Sequence, residues 1–273
     1  MLTALRTARI IGVIVVATFV LLPFHLVSLA FKLPFRKTIP VLWHRIVLYA
    51  FGMRVHVIGA PDTSRAGGLL LASNHSTWID IVALGSVTPL SFIAKAEVRD
   101  WPIFGYLARW QETVFVTRER RKETKNQTES VRSRLDEGDT IVLFPEGTTS
   151  DGNFLSTFKS SLFGAVGITG KDAVEDGLMH TVQPVAICYV SWHGLPLGRY
   201  NRPLASWPGD IELVPHLKRV LAEGILDITI SFGEPIEVDE TLDRKDLCRR
   251  CEASVRDMLA ASLRGEVLPS NAS

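Results

Sequence analysis

The sequence predicts an α/β protein with a mixed, largely parallel sheet flanked by helices, preceded by an N-terminal membrane helix or hairpin. Short apolar runs alternate along the chain with segments of helical character, and such alternation is typical of helices packed on a largely buried sheet. Residues 10–31 are almost wholly apolar. The chain of 273 residues is long enough for one sizeable domain plus an appendage.

The apolar stretch from about Ile10 to Phe31 is long enough to cross a bilayer, for which roughly 20 helical residues suffice. A cleaved signal peptide is the alternative, but its apolar region would be shorter and would end in a small-residue cleavage site. Pro23 and His25 leave open a kinked helix, a hairpin or an interfacial helix pair in one leaflet. Basic residues are denser after the stretch than before it, so we expect an inner-membrane protein whose remaining chain faces the cytoplasm.

After a basic, partly amphipathic connector, apolar runs with β-branched residues predict strands. The candidate strands are RVHVIG (54–59), GLLLAS (68–73), LSFIAK (90–95), TVFVTR (113–118), TIVLFP (140–145), TVQPVAICYV (181–190) and LDITISF (226–232). The candidate helices are 79–85, 103–110, 125–137, 159–166, 210–222 and 245–263. We therefore divide the chain into a membrane anchor with its connector (1–50), a single domain (51–265) and a polar tail (266–273).

Composition excludes some classes of function. A formal net charge of +1 gives no electrostatic reason to expect a nucleic-acid partner. Three cysteines, Cys188, Cys248 and Cys251, are too few for a disulfide framework and fit a reducing compartment. Cys248 and Cys251 form a CxxC pair without a second Cys or His pair nearby, which argues against a zinc site. We expect neither a metal nor a cofactor.

The first candidate for chemistry is the segment SNHSTWID (73–80), where His75 ends a predicted strand. Asp80 lies five residues later, which on an ideal helix is about 500° of rotation and would point it away from His75. The two side chains can meet if His75 lies in the turn and Asp80 in the first helical turn, with Thr77 as N-cap. The alternative is that Thr77 and Asp80 form only a helix-capping arrangement.

A His and Asp pair of this kind would make an alcohol nucleophilic. The neutral imidazole takes the hydroxyl proton, and the carboxylate fixes the tautomer and stabilises the imidazolium that forms. The chain contains no GxSxG elbow, the usual signal of a serine nucleophile. The pattern therefore favours direct attack by a bound hydroxyl.

Other polar residues also follow predicted strands. Arg118 and Lys95 end two of them and are candidates for binding an anionic head group, the alternative being solvated surface charges. Glu146 and Gly147 follow TIVLFP and could bind the polyol backbone of an acceptor, or merely form a turn. Pro184 stands inside TVQPVAICYV and predicts an edge position or a bulge for that strand.

Together, four segments resemble the PlsC-type glycerolipid acyltransferases, whose first signature is NHxxxxD. The four blocks, in the family's order, are NHSTWID (74–80), VFVTR (114–118), FPEGT (144–148) and QPVAI (183–187). The resemblance implies His75 as general base, Asp80 as its orienting partner, and Arg118, Glu146 and Gly147 in acceptor binding. It also implies a membrane-associated enzyme that takes its acyl group from acyl carrier protein or CoA.

The resemblance leaves the acceptor open. Many members that use lysophosphatidate carry Arg after FPEGT, whereas this chain has Thr149 there. The function expected is acyl transfer to a lysolipid, 1-acyl-sn-glycerol-3-phosphate giving phosphatidic acid, with lyso-ornithine lipid or another lysophospholipid as the alternative acceptor. A lipid hydrolase and a non-catalytic membrane scaffold are the competing classes. The segment SWPGDIELVPHL (206–217), outside the four blocks, predicts a loop and helix over the sheet.

Overall fold

The structure, a computed structural model, describes residues 2–64, 67–116, 121–166, 180–208, 212–239 and 241–266. Within these residues the α-helices are α1 (Leu2–Ala30), α2 (Thr38–Phe51), α3 (Ile79–Gly85), α4 (Phe104–Trp110), α5 (Arg121–Asp136), α6 (Ser160–Ala165), α7 (Leu213–Glu223) and α8 (Arg244–Leu263). The strands are β1 (Arg54–Ile58), β2 (Leu69–Ser73), β3 (Ser91–Lys95), β4 (Val114–Val116), β5 (Thr140–Leu143), β6 (Thr181–Trp192), β7 (Leu195–Pro196), β8 (Leu226–Phe232) and β9 (Ile236–Glu237).

The strands form one mixed sheet in the order β1-β8-β6-β2-β5-β3-β4, and the short strands β7 and β9 pair with β6. Every neighbouring pair along this order is parallel except β6 and β8, which are antiparallel. The predicted largely parallel, mixed sheet is confirmed. Because parallel strands end on the same edge, the loops that follow β2, β3 and β5 all lie on one side of the sheet, its carboxyl edge.

Apolar side chains cover both faces of the sheet. Leu69 and Leu71 of β2 pack with α1, α2, α3 and α7 on one face, and Leu70 and Ala72 pack with α5, α6 and α8 on the other. This alternation follows from the two-residue period of a strand. All of these side chains are buried, and full burial of one large aliphatic side chain stabilises the fold by about 1.5–3 kcal/mol.

Helix α1 is continuous through Pro23 and packs against the domain over most of its length. Near its start, the Arg6 guanidinium donates to the carbonyls of Glu223 at 3.2 Å and Phe51 at 3.2 Å. Near its end, Nε2 of His25 donates to the Trp110 carbonyl at 2.8 Å. Residues 3–30 are long and apolar enough to cross a membrane, but one stripe of the helix is buried on the domain while the opposite stripe is exposed.

Strand β6 contradicts the expectation for Pro184. This proline lies in an interior strand, paired with Ala72 of β2 on one side, and the one register shift along the β6–β8 pairing occurs near Tyr189 rather than at the proline. Its carbonyl accepts from the Gly233 N–H at 2.8 Å, on the side where β8 has ended and β9 has not begun. The missing N–H faces the same side. The proline is tolerated there because its missing donor falls in a gap between two neighbouring strands.

Candidate active site

The first and third sequence blocks meet at the carboxyl edge of the sheet. Strand β2 leads into His75 and strand β5 leads into Glu146, and these strands are parallel neighbours with Ala72 opposite Leu143. The backbone N–H of Ser150 donates to the His75 carbonyl at 2.9 Å. Two segments about 70 residues apart in sequence therefore form one loop cluster, as expected for the strand ends of a parallel sheet.

His75 and Asp80 are in contact. Nδ1 of His75 lies 2.8 Å from Oδ2 of Asp80, whose side chain is fully buried. The same oxygen accepts the backbone N–H groups of Ser76 at 2.7 Å and Thr77 at 2.9 Å. Asp80 thus orients the imidazole and also closes the turn that carries it, so the expected contact between His75 and Asp80 is present.

The capping geometry differs from the expectation in one respect. The N-cap of α3 is Trp78, not Thr77, and the Thr77 hydroxyl has no hydrogen-bond partner among the described residues. Asp80 lies near the N-terminus of α3, where the N–H groups favour a negative charge. Its carboxylate accepts the N–H groups of Ser76 and Thr77, which precede the helix, and so stabilises the turn between β2 and α3.

Tyr189, on the central strand β6, holds the other oxygen of Asp80. Its hydroxyl donates to Oδ1 at 2.6 Å, and the side chain is buried. Burial, together with the charge of Asp80, raises the pKa of this phenol well above its usual range, so it remains a donor at all physiological pH. Sequence reasoning missed this residue because 109 positions separate it from Asp80 and nothing in an apolar strand distinguishes one Tyr as a site residue.

The imidazole of His75 stacks on an aromatic ring and leaves its second nitrogen open. Its ring lies parallel to Phe144, with centroids 4.0 Å apart, and Phe144 stacks in turn on Phe92 with centroids 6.2 Å apart. The His75 side chain is 18% exposed. No described residue hydrogen-bonds Nε2, so this nitrogen is placed to accept a proton from a bound hydroxyl.

Glu146 supports the backbone of His75. One carboxylate oxygen accepts the His75 N–H at 2.6 Å and the other accepts the Ser156 N–H at 2.9 Å. Burial raises the pKa of this carboxyl, and the two N–H groups oppose that rise. Gly147 forms the adjoining turn with φ 70°, a left-handed conformation that glycine adopts without strain. A direct role of either residue in acceptor binding remains a prediction.

The fourth block is joined to the first by Asn74. Its side-chain amide donates to the Ile187 carbonyl at 2.9 Å and accepts the Ile187 N–H at 2.7 Å. Gln183 in the same block lies away from His75 and binds the backbone of Ala60, Asp62 and Gly233. The Asn of the first block therefore positions its loop on β6.

The structure describes one of the two predicted cations. Lys95 is exposed at the end of β3 and pairs in register with Val116 of β4. Arg118 lies outside the described residues, two positions after Val116. Their roles as head-group ligands stay predictions.

The segment predicted to cover the sheet does contact the catalytic loop. The Trp207 N–H donates to the Ser76 carbonyl at 2.7 Å. On α7, Nδ1 of His216 accepts the indole N–H of Trp78 at 3.0 Å. Residues 206–208 and α7 thus back the loop that carries His75, a role that no short-range pattern in the sequence indicates.

Known proteins are similar to this chain in both sequence and fold. Residues 54–187 match the family model described as Acyltransferase. A lyso-ornithine lipid O-acyltransferase of Brucella abortus is 46% identical over 98% of this chain and 99% of its own length, and one of Rhizobium meliloti is 45% identical over 97% and 89%. A 1-acyl-sn-glycerol-3-phosphate acyltransferase of Neisseria meningitidis is 32% identical over 74% of each chain. The crystal structure of PlsC from Thermotoga maritima has the same fold, with a TM-score of 0.64, 21% identity, and coverage of 97% of this chain and 98% of its own.

Proposed function

Since the chain belongs to the PlsC-type acyltransferase family, we propose that it esterifies the free hydroxyl of lyso-ornithine lipid with a fatty acyl group. The donor is the thioester of acyl carrier protein or CoA. The observation that carries the proposal is the His75 imidazole, held by Asp80 at 2.8 Å with Nε2 open.

The reaction follows from that geometry. Nε2 of His75 takes the proton of the acceptor hydroxyl as its oxygen attacks the thioester carbonyl, and Asp80 stabilises the imidazolium that forms. The tetrahedral intermediate then expels the thiolate, which takes the proton back from His75. The products are the ester and the free thiol, and no residue of the protein becomes acylated.

Two observations support lyso-ornithine lipid over lysophosphatidate as the acceptor. Relatives named for the ornithine lipid are between 33% and 46% identical to this chain, whereas two relatives named for the glycerol phosphate are 32% identical. Thr149 stands where lysophosphatidate-using members often carry Arg. An ornithine head group bears a carboxylate, for which we assign Arg118 and Lys95 as candidate ligands, and an ammonium, which an additional Arg would repel.

Turnover of a panel of lysolipid acceptors by the purified protein tests the function, with each donor supplied in turn. We expect the diacyl product, with the highest kcat/KM on lyso-ornithine lipid. Free fatty acid as the main product would favour a hydrolase instead, and no turnover by a folded protein would favour a scaffold.

The variant Thr149→Arg tests the acceptor assignment. It should lower kcat/KM on lyso-ornithine lipid by charge repulsion and raise or preserve it on lysophosphatidate, because it restores a phosphate-binding charge. Thr149→Ser is the matched control, since it removes a methyl group and adds no charge. Unchanged rates on both acceptors would show that position 149 lies outside the head-group site.

For localisation, we propose the cytoplasmic face of the inner membrane, with α1 lying in the plane of one leaflet. Arg6 and His25 tie the two ends of the apolar stretch to the domain, and roughly 28 Å of helix separates them at 1.5 Å per residue. If α1 crossed the bilayer, the bound domain would have to enter the hydrocarbon with it. The exposed stripe, which includes Phe19 and Phe24, suits interfacial insertion.

A further inference from the structure

The segment around α4 exposes apolar and aromatic side chains in a strained conformation. Ile103, with φ 65° and ψ −56°, is the centre of a γ-turn in which the Phe104 N–H donates to the Pro102 carbonyl at 2.7 Å. A β-branched residue rarely adopts a positive φ, and such strain persists mainly where function requires it. The turn leaves the Ile103 side chain 70% exposed, and Tyr106 on the next turn is 57% exposed.

This segment is joined to α1, whose exposed side chains are apolar. The rings of Tyr106 and Trp110 lie 6.1 Å apart, and the Trp110 carbonyl accepts from His25 of α1 at 2.8 Å. His25 adjoins Phe24, which is exposed. Arg109 stacks its guanidinium over Tyr106 at 4.4 Å, and aromatic rings beside a basic side chain are typical of the boundary between lipid and water.

The opposite end of the segment leads to the catalytic loop. Trp101 packs edge-on against Trp207 with ring centroids 6.2 Å apart, and Trp207 donates its N–H to the carbonyl of Ser76, next to His75. One end of the segment is therefore bonded to α1, and its other end packs on a residue that is bonded to the turn carrying the base.

We propose that Trp101, Ile103, Tyr106 and Trp110, here called the aromatic surface, insert into the leaflet that holds α1 and admit the membrane-bound acceptor to His75. This rests on the proposed function for the nature of the acceptor, a single-chain lipid that stays in the bilayer. The bilayer is favoured as occupant because the surface is joined to α1, whose exposed side chains are apolar, and combines bulky apolar groups with a flanking cation.

A fluorescent label at position 103 tests the insertion without reference to activity. The native cysteines are buried, so Ile103→Cys adds one accessible thiol to the full chain for an environment-sensitive dye. Ala253→Cys is the matched control, because Ala253 is exposed on α8, on the face of the sheet opposite α1. Each labelled protein is reconstituted in vesicles of phosphatidylethanolamine and phosphatidylglycerol.

We expect the dye at position 103 to be quenched by nitroxide-bearing lipids and shielded from aqueous iodide, and the dye at position 253 to behave in the opposite way. A dye at 103 that iodide quenches as strongly as at 253 would overturn the proposal. So would a dye at 103 that becomes shielded only when acyl carrier protein is added, because the surface would then bind the carrier.

Kinetics of Ile103→Asn test the admission of acceptor. Asn tolerates a positive φ, so the turn is kept while the apolar side chain is lost. We expect KM for vesicle-embedded acceptor to rise about tenfold, the equivalent of losing one partly buried aliphatic side chain, with kcat unchanged. Turnover of a short-chain acceptor dissolved in water should not change. An equal loss on both acceptors would overturn the proposal, whereas a wild-type protein inactive on both would refute the proposed function and leave the labelling result intact.

Discussion

Two clusters of buried charged groups lie at opposite edges of the same sheet. They differ in whether a hydrogen-bonding position remains open for a substrate. At the carboxyl edge, Asp80 is held by His75, Tyr189 and two backbone N–H groups. At the amino edge, Asp139 is held by Lys37 and by Arg134, whose Nε lies 2.8 Å from its Oδ2. Both carboxylates are nearly inaccessible to water.

In the amino-edge cluster two cations, Lys37 and Arg134, share the carboxylate of Asp139. Arg134 also donates to the Ser91 hydroxyl at 2.7 Å and to the Glu112 carbonyl, and Asp139 joins α5 to the connector after α1. Burial alone would raise the pKa of Asp139, but the hydrogen bond from Lys37 and the charge of Arg134 lower it. A cavity of about 310 Å³ adjoins this cluster, far from His75.

At the carboxyl edge no described Lys or Arg contacts Asp80, and one nitrogen of His75 is left open. A closed network of paired charges stabilises a fold, whereas an incomplete one with an accessible base performs chemistry. The comparison shows that a cavity by itself does not identify the site, and that an unfilled hydrogen-bonding position beside a buried carboxylate is the better guide.

The largest expected effect is the loss of the base. His75→Ala should lower kcat by about 10²- to 10⁴-fold, the usual contribution of general-base catalysis, because no other described group occupies the position of Nε2. The thermal midpoint should change little, since the imidazole is partly exposed. A fully active His75→Ala protein would disprove the assignment.

Asp80→Asn distinguishes the two roles of Asp80, which are to orient the His75 imidazole and to close the turn through the N–H groups of Ser76 and Thr77. Asn can keep one carbonyl oxygen toward Ser76 and Thr77 but lacks the negative charge that stabilises the imidazolium. Specific activity per folded molecule should fall, and the thermal midpoint should fall as well. A lower midpoint with full specific activity would reduce Asp80 to a capping residue.

At the amino edge we expect the opposite result. Arg134→Met should lower the free energy of unfolding and leave kcat unchanged. The variant keeps Lys37 on Asp139 and removes the hydrogen bond that Arg134 donates to this buried carboxylate, at a cost of about 1.5–3 kcal/mol. Since the folded pKa of Asp139 is depressed, this contribution is present at neutral pH and fades below about pH 4, as the carboxyl is protonated. Chemical denaturation at neutral and acidic pH measures the free energy of unfolding, and kcat of the folded protein measures the effect on catalysis. A large fall in kcat would show that the amino-edge cluster also supports catalysis, contrary to the distinction drawn between the two edges.

The smallest expected effect is that of Tyr189→Phe, about tenfold in kcat, because hydrogen bonds to charged groups contribute modestly. Removing a donor from Asp80 raises the proton affinity of the His75–Asp80 pair. The acidic limb of the kcat/KM profile should therefore move to higher pH, since the base is protonated more readily. A displaced pH profile would show that Tyr189 positions the catalytic pair, because a purely structural role would change the thermal midpoint without moving the profile. An unmoved profile would make its hydroxyl merely structural.

Much of the fold could be predicted because its signals are local. Apolar runs bounded by polar turns marked the strands β1 to β6 and β8, and the helices α3 to α8 begin and end within about four residues of their predicted bounds, whereas α2 was expected only as a connector. The contact between His75 and Asp80 was also predictable, since a strand, a turn and the first helical turn bring residues five positions apart together whatever the rest of the chain does.

What the sequence alone determined was therefore the type and order of the elements and the chemistry of one turn. Only the tertiary structure decided the partners that come from distant strands: Tyr189 on Asp80, Glu146 on the backbone of His75, and Pro184 inside the sheet rather than at its edge. The physical reason is the strand order. Local periodicity shows that a segment is a buried strand, but its neighbours are chosen by the packing of the whole sheet, and they determine which buried polar groups meet.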